Sequence, residues 1–200
     1  MAYIQFLGGA GTVTGSKHLI NTSSDQGGKG GFQVLIDCGL FQGQKEWRER
    51  NWQDTPVSAH NINAVILTHA HLDHCGWIPR LVKEGFRGPI YATPPTIDLC
   101  GIILPDSGHL QEEDAAFYNK IKKSKHNPAL PLYTLQEAQD SLQYFRPVQV
   151  RETMQVCARP NCMRGFTPRC PNRYAHAVES VQPIRRGRRD QRRLSPHCCR

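Results

Sequence analysis

Between Leu67 and Gly76 the sequence reads Leu-Thr-His-Ala-His-Leu-Asp-His-Cys-Gly, which packs His69, His71, Asp73 and His74 into six residues. Neutral imidazole and carboxylate are ligands that zinc accepts at about 2.0–2.2 Å. Two imidazoles two residues apart, on a loop leaving a strand, can face one metal, while the Asp and His that follow turn toward a second. A solvated histidine-rich loop would have a similar composition, but nothing in such a loop requires four ligating residues at this spacing. The segment is read as a metal-binding motif.

The elements around it must hold that loop at a strand end. Alternating or apolar runs predict strands over residues 3–7, 17–21 and 32–37, arranged as an antiparallel meander, and a buried strand over 64–68 that feeds the histidine loop. The first turn of the meander, 8–16, is rich in glycine, and the second, 23–31, is a flexible loop. Because the first turn lacks the G-x-x-x-x-G-K-[ST] spacing, it is not a phosphate-cradling P-loop. Helix is expected over 77–84, strand over 89–92, and a helix from Pro94 or Pro95 to about Leu104. A further helix over 111–125 runs from Glu112, Glu113 and Asp114 to Lys120, Lys122, Lys123 and Lys125, an order that suits the helix dipole. His109 then lies between helices. Thr134-Leu135-Gln136-Glu137 has the form of a capping box, opening a helix with Leu135, Ala138 and Leu142 on one face. Strands followed by strands alternating with helices give a layered α/β domain. Cys38 and Cys75 read as small buried thiols, and His18 and His60 as structural or solvated.

Charge divides the 200 residues sharply. The chain is +8 overall, yet residues 1–150 are net −1, and the last fifty carry 12 Arg, no Lys and a net +9. Five of the eight cysteines, Cys157, Cys162, Cys170, Cys198 and Cys199, fall in the same fifty residues. Only six of those fifty are Leu, Ile, Val or Phe, too few for a segment that buries its own core. The basicity is therefore no argument for nucleic-acid binding by the body. Apolar runs such as 64–67 are strand-sized, far short of the roughly 20 residues of a membrane span. The first eleven residues lack the basic start of a secretory signal.

His69-x-His71-x-Asp73-His74, with Asp37 closing Val34-Leu35-Ile36-Asp37, resembles the signature of metallo-β-lactamase-fold hydrolases. The segments 8–16, 37–43, 85–93 and 104–114 are similar to the RNA-processing branch that carries a β-CASP domain, and the resemblance covers about residues 3–150. It implies an αββα sandwich, of which this chain holds the N-terminal half, and hydrolysis of RNA phosphodiesters at two Zn2+ ions. His69 and His71 would bind the first zinc and Asp73 and His74 the second. A bridging hydroxide would attack in line, with Asp73 also holding it, and Asp37 would orient the histidine loop by accepting ring N–H bonds. Such an enzyme is expected in the cytoplasm, with RNA as substrate and no membrane partner.

The pattern is interrupted after residue 150. The family's later Gly-His-x-Leu-Gly-Ser histidine, bridging Asp and final His have no counterpart, since the only later histidines are His176 and His197. Each zinc keeps two of its expected ligands, so the chain as written is expected to be incomplete and inactive. Residues 151–200 are an Arg/Cys/Pro-rich tail, expected to be disordered or a frameshift product that starts near 150–156. Its Cys157, Cys162, Cys170 and His176 do not have zinc-knuckle spacing, although Arg185–Arg193 could serve as a basic RNA arm. A half-sandwich should leave one sheet face open and aggregate. The alternatives are a thioester or lactone hydrolase of the same fold, or a non-catalytic scaffold in RNA processing.

Overall fold

The computed structural model describes residues 2–22, 31–122 and 128–151, together with 153 and 156. The loop reading for 23–30, Lys123 and Lys125, and the tail readings beyond residue 156 lie outside the described residues.

Among the described residues six strands form one sheet in sequence order: β1 (Ala2–Gly8), β2 (Lys17–Thr22), β3 (Phe32–Ile36), β4 (Ala64–Ile66), β5 (Ile90–Ala92) and β6 (Phe145–Pro147). The first three are the expected antiparallel meander, and β3 through β6 are parallel neighbours. Parallel neighbours need crossovers, and helices supply them. These are α1 (Lys45–Glu49), α2 (Leu72–Cys75), α3 (Ile78–Lys83), α4 (Pro94–Ile121) and α5 (Leu135–Ser141).

Register assigns the two faces. Leu19 is opposite Leu35, Leu35 opposite Val65, Val65 opposite Ile90 and Ile90 opposite Phe145. All five are buried in one core with Ile78 and Leu81 of α3, Cys100 and Leu104 of α4, Tyr133 and Ala138. On the other face Ile4 and Phe6 are 58% and 63% exposed, and Ile20, Ile36 and Ile66 are half-buried. The described residues thus form an α/β layer pair, helices on one face of a sheet whose other face is apolar and partly open. Such a layer pair is what one half of an αββα sandwich contains.

Two helical expectations are corrected. The helix from Pro94 does not stop near Leu104, and 111–121 is not a separate helix. Both belong to α4, which runs 28 residues through Pro105 to a left-handed cap at Lys122. A proline inside a helix forfeits one backbone bond and crowds the preceding turn. Here Leu104, Pro105, Ser107 and Gly108 are all buried, and a Cβ on Gly108 would press on the Thr134 backbone. Packing against the segment before α5 outweighs the local penalty. His109 consequently lies within α4, exposed and 3.6 Å from Glu113 one turn on, not between helices. The capping box of α5 is present: Thr134 accepts from the Glu137 N–H, and Glu137 accepts from the Thr134 N–H.

Candidate metal centre

The centre is built where β3 and β4 end side by side. Asp37, the residue after β3, has φ +58, a left-handed conformation that Asp tolerates better than most residues. From there the chain is stitched to the histidine segment by its backbone. Cys38 N–H donates to the His74 carbonyl at 2.6 Å, Leu40 N–H to Leu72 at 2.9 Å and Trp77 N–H to Cys38 at 2.9 Å. Ser16 adds a third strand of contacts, donating its N–H to Asp73 and accepting from Gly39. The approach is close enough that a Cβ on Gly39 would collide with the Asp73 carbonyl, so only glycine fits there.

Asp37 is 3% exposed, and its carboxylate is satisfied. It accepts the Thr68 N–H at 2.9 Å, the Thr68 hydroxyl at 2.9 Å, the His74 Nδ1–H at 2.8 Å and the Ser16 hydroxyl at 3.4 Å. These bonds fix the tautomers. Since the single Thr68 hydroxyl proton lies on Asp37, Thr68 Oγ1 accepts from His69 Nδ1 at 2.9 Å, which leaves the lone pair of His69 on Nε2. Likewise the His74 Nδ1–H bond to Asp37 leaves the lone pair of His74 on Nε2. Burial, followed by the neighbouring His74 and His71, lowers the pKa of His69 and favours its neutral form.

The remaining ring and carboxylate atoms meet in pairs. His69 Nε2 accepts a hydrogen bond from His71 Nδ1 at 3.1 Å, and His74 Nε2 is 3.5 Å from Asp73 Oδ2. Two ligand atoms on a tetrahedral zinc stand about 3.3 Å apart, so both pairs fit such an ion. The His69 and His74 rings, 4.0 Å between centroids, set the pairs next to each other. His71 is exposed, and His69, Asp73 and His74 are half-buried, so the cluster opens to solvent. Among the described residues no group of three or more His, Cys, Asp or Glu converges on one point.

The four motif residues and Asp37 thus come together as one cluster. His109, His18 and His60 stand apart from it: His18 packs edge-on against Phe6, and His60 lies against Gly85. His176 and His197 lie outside the described residues. Cys38 and Cys75 are fully buried thiols, and burial pushes Cys38 up to about 12. Sequence reasoning missed Thr68 and Ser16, the hydroxyls that complete the Asp37 shell. The signal for Thr68 was its place between the strand and His69. It also missed the four-residue helix α2, for which His71 is the N-cap and which presents Asp73 and His74 from one turn.

The sequence that builds this centre is similar to that of known proteins. The Metallo-beta-lactamase superfamily profile matches residues 27–94, so the stretch holding Asp37 and the whole histidine motif is metallo-β-lactamase-superfamily sequence. Among characterised relatives, the chain is 36% identical over 151 residues to "Ribonuclease TTHA0252" of Thermus thermophilus, covering 76% of this chain and 29% of that one. It is 39% identical over 103 residues to "Transcription termination factor FttA" of Methanocaldococcus jannaschii, covering 52% and 15%. It is 32% identical over 160 residues to "Integrator complex subunit 11 homolog" of Dictyostelium discoideum, covering 74% and 18%. The chain therefore spans less than a third of the length of these relatives. A solved B3 metallo-β-lactamase with an active-site glutamic acid aligns at a TM-score of 0.39 and 18% identity, over 78% of this chain and 45% of that one. No helix among the described residues is long and apolar enough to cross a membrane.

Proposed function

We propose that residues 1–150 are the N-terminal part of a zinc-dependent, β-CASP-type ribonuclease domain that hydrolyses RNA phosphodiesters in the cytoplasm, and that residues 151–200 are a segment of foreign composition outside it. The observation that carries this reading is the pair of donor couples, His69 with His71 and Asp73 with His74, locked through Asp37. The names of the relatives support RNA as the substrate class. Zinc held there would supply Lewis acidity to a phosphoryl oxygen and lower the pKa of a bound water. Asp37 keeps the His69 and His74 lone pairs on Nε2, the usual role of a carboxylate behind a ligating histidine. Asp73, half-buried beside His74, would hold zinc and could accept a proton there.

A second reading, a non-catalytic RNA-processing scaffold, is favoured by the absence of any three-ligand group among the described residues. It expects RNA retention without turnover.

Zinc titration of the full chain, followed by calorimetry, tests the site. Weak binding whose stoichiometry is halved in H69A/H71A and, separately, in D73A/H74A is expected, and binding unchanged in both variants would overturn it. The zinc-loaded chain is then offered an RNA oligonucleotide, a lactone and a thioester. Cleavage of RNA supports the nuclease, retention without cleavage supports the scaffold, and turnover of a lactone or thioester with RNA untouched overturns both RNA readings.

A further inference from the structure

On the helix side of the sheet, behind the metal loop, a cavity of about 260 Å3 is lined by Lys17, Phe41, Arg50, Asp54, Thr55 and Trp77. Lys17 belongs to β2 and is only 5% exposed. Its Nζ lies 4.5 Å from the centre of the Trp77 ring and 5.1 Å from that of Phe41. Arg50 enters from the opposite chain segment, its guanidinium 4.4 Å from the Trp47 ring centre and 5.6 Å from that of Phe41. Two cations therefore share one aromatic ring and one cavity.

Like charges repel, and a buried ammonium loses more hydration than ring faces return. The ordinary remedy is a carboxylate. Among the described residues, none makes an ion pair with Lys17 or Arg50: Glu84, whose charge acts on Lys17 at longer range, pairs with Arg80 at 2.8 Å, and the lysine and arginine ion pairs formed elsewhere join Lys45 to Glu49 and Lys83 to Glu137. Asp54 is exposed at the rim. Lys17 thus keeps ammonium donors directed at a space that already holds a second cation.

We propose that this cavity is an anion site for a small phosphomonoester, with its phosphate between Lys17 and Arg50. A planar guanidinium and a compact ammonium together suit a phosphate dianion. The cavity is larger than a phosphate ion alone, and Asp54 and Thr55 at its rim offer partners to hydroxyl or amino groups of an organic body. The site is separate from the histidine cluster, and the inference does not depend on the reaction proposed there. It would nevertheless be felt at that cluster, because Ser16, next to Lys17 in the chain, donates to Asp37.

The test follows the three indole N–H signals by NMR in the full chain during titration with inorganic phosphate and, separately, with adenosine monophosphate. Trp77, whose Nε1–H donates to the Asn51 carbonyl at 3.0 Å, is the reporter inside the site. Saturable shifts of Trp77 with either ligand are expected, tighter for the nucleotide if its organic body uses the rim. Affinity should fall about tenfold or more in K17M and in R50Q, as expected for loss of a charge-assisted bond. Arg50 is exposed, so R50Q keeps the test independent of any folding defect in K17M. No shift of Trp77 at millimolar ligand, or an equal shift in both variants, would mean an adventitious ion only and would overturn the proposal.

Discussion

Asp37 and Lys17 are two buried charges, 3% and 5% exposed, in adjoining parts of the same edge of the fold, and they are accommodated by opposite means. Asp37 sits in a shell of hydrogen-bond donors from three separate segments, with the Thr68 and His74 bonds at 2.8–2.9 Å and the Ser16 bond longer at 3.4 Å. Lys17 rests on aromatic faces with its donors unclaimed by any carboxylate among the described residues. The first arrangement fixes geometry, since moving the carboxylate breaks several bonds at once. The second tolerates displacement, since a ring face attracts a cation over a broad area. A group that must orient metal ligands has the first kind of environment, and a group that waits for a ligand has the second.

The largest effect that separates them is expected at Asp37. Asp37→Ala takes from exposed Thr68 and half-buried His74 the charged acceptor they share and should cost, through several charge-assisted bonds lost at once, about 3–5 kcal/mol in denaturant unfolding, with zinc affinity down about 10–100-fold. Asp37→Gly, which accepts φ +58 without strain, controls for backbone effects. Recovery of stability in the glycine variant would show that strain, not the donor shell, dominates.

Trp77→Leu comes next. It removes the ring beneath Lys17 and the bond to Asn51, and about 3 kcal/mol of stability should go with them. Adding Lys17→Met to Trp77→Leu should restore about 1–2 kcal/mol of that, because the orphaned ammonium is gone. Strict additivity of the two substitutions would break the aromatic-support half of the comparison.

Lys17→Met alone should change stability at neutral pH by no more than about 1 kcal/mol, in contrast to Asp37→Ala. Its signature is in alkali. Burial lowers the Lys17 pKa below the ordinary 10.5, so the unfolded chain still holds the proton after the folded chain has released it. Stability contributed by this group therefore rises with pH from the folded pKa up to 10.5, the penalty being full below that window. Cys38 acts oppositely, losing stability for the fold from 9.0 toward about 12. Unfolding measured on wild type minus Lys17→Met should show the rise, with Cys38 entering only through its coupling to Lys17. A flat difference curve would mean that Lys17 is not effectively buried. The smallest effect belongs to Ser16→Ala, which removes the longest of the Asp37 bonds and should cost about 0.5 kcal/mol.

The same contrast explains what the sequence made legible. The histidine motif, Asp37 and the strands that carry them were readable because their meaning is local: alternation, a strand end, and fixed ligand spacing. The capping box of α5 was readable for the same reason. The full length of α4 was not, because Pro105 argues locally for a break, and the packing that overrides it involves Thr134, far along the chain. Nor was the Lys17 site, whose rings come from positions 41 and 77 and whose second cation is at 50. Lysine at position 17 looks like any solvent-facing residue of an alternating strand until the crossovers are folded over it.

The left-handed backbone at Asp37 also limits the evolutionary moves open to this position. Single-base changes in an aspartate codon lead to Asn, Gly, His, Tyr, Val, Ala or Glu. Of these, Gly and Asn accept φ +58 most readily, yet Gly offers no acceptor, and Asn replaces one carboxylate oxygen with a donor facing Thr68 or His74. Glu keeps the charge, but its extra methylene displaces the carboxylate from a shell only a few tenths of an ångström wide. None of these seven replacements is neutral, so a saturation library should return this site as one of the least permissive in the chain, without any reference to catalysis.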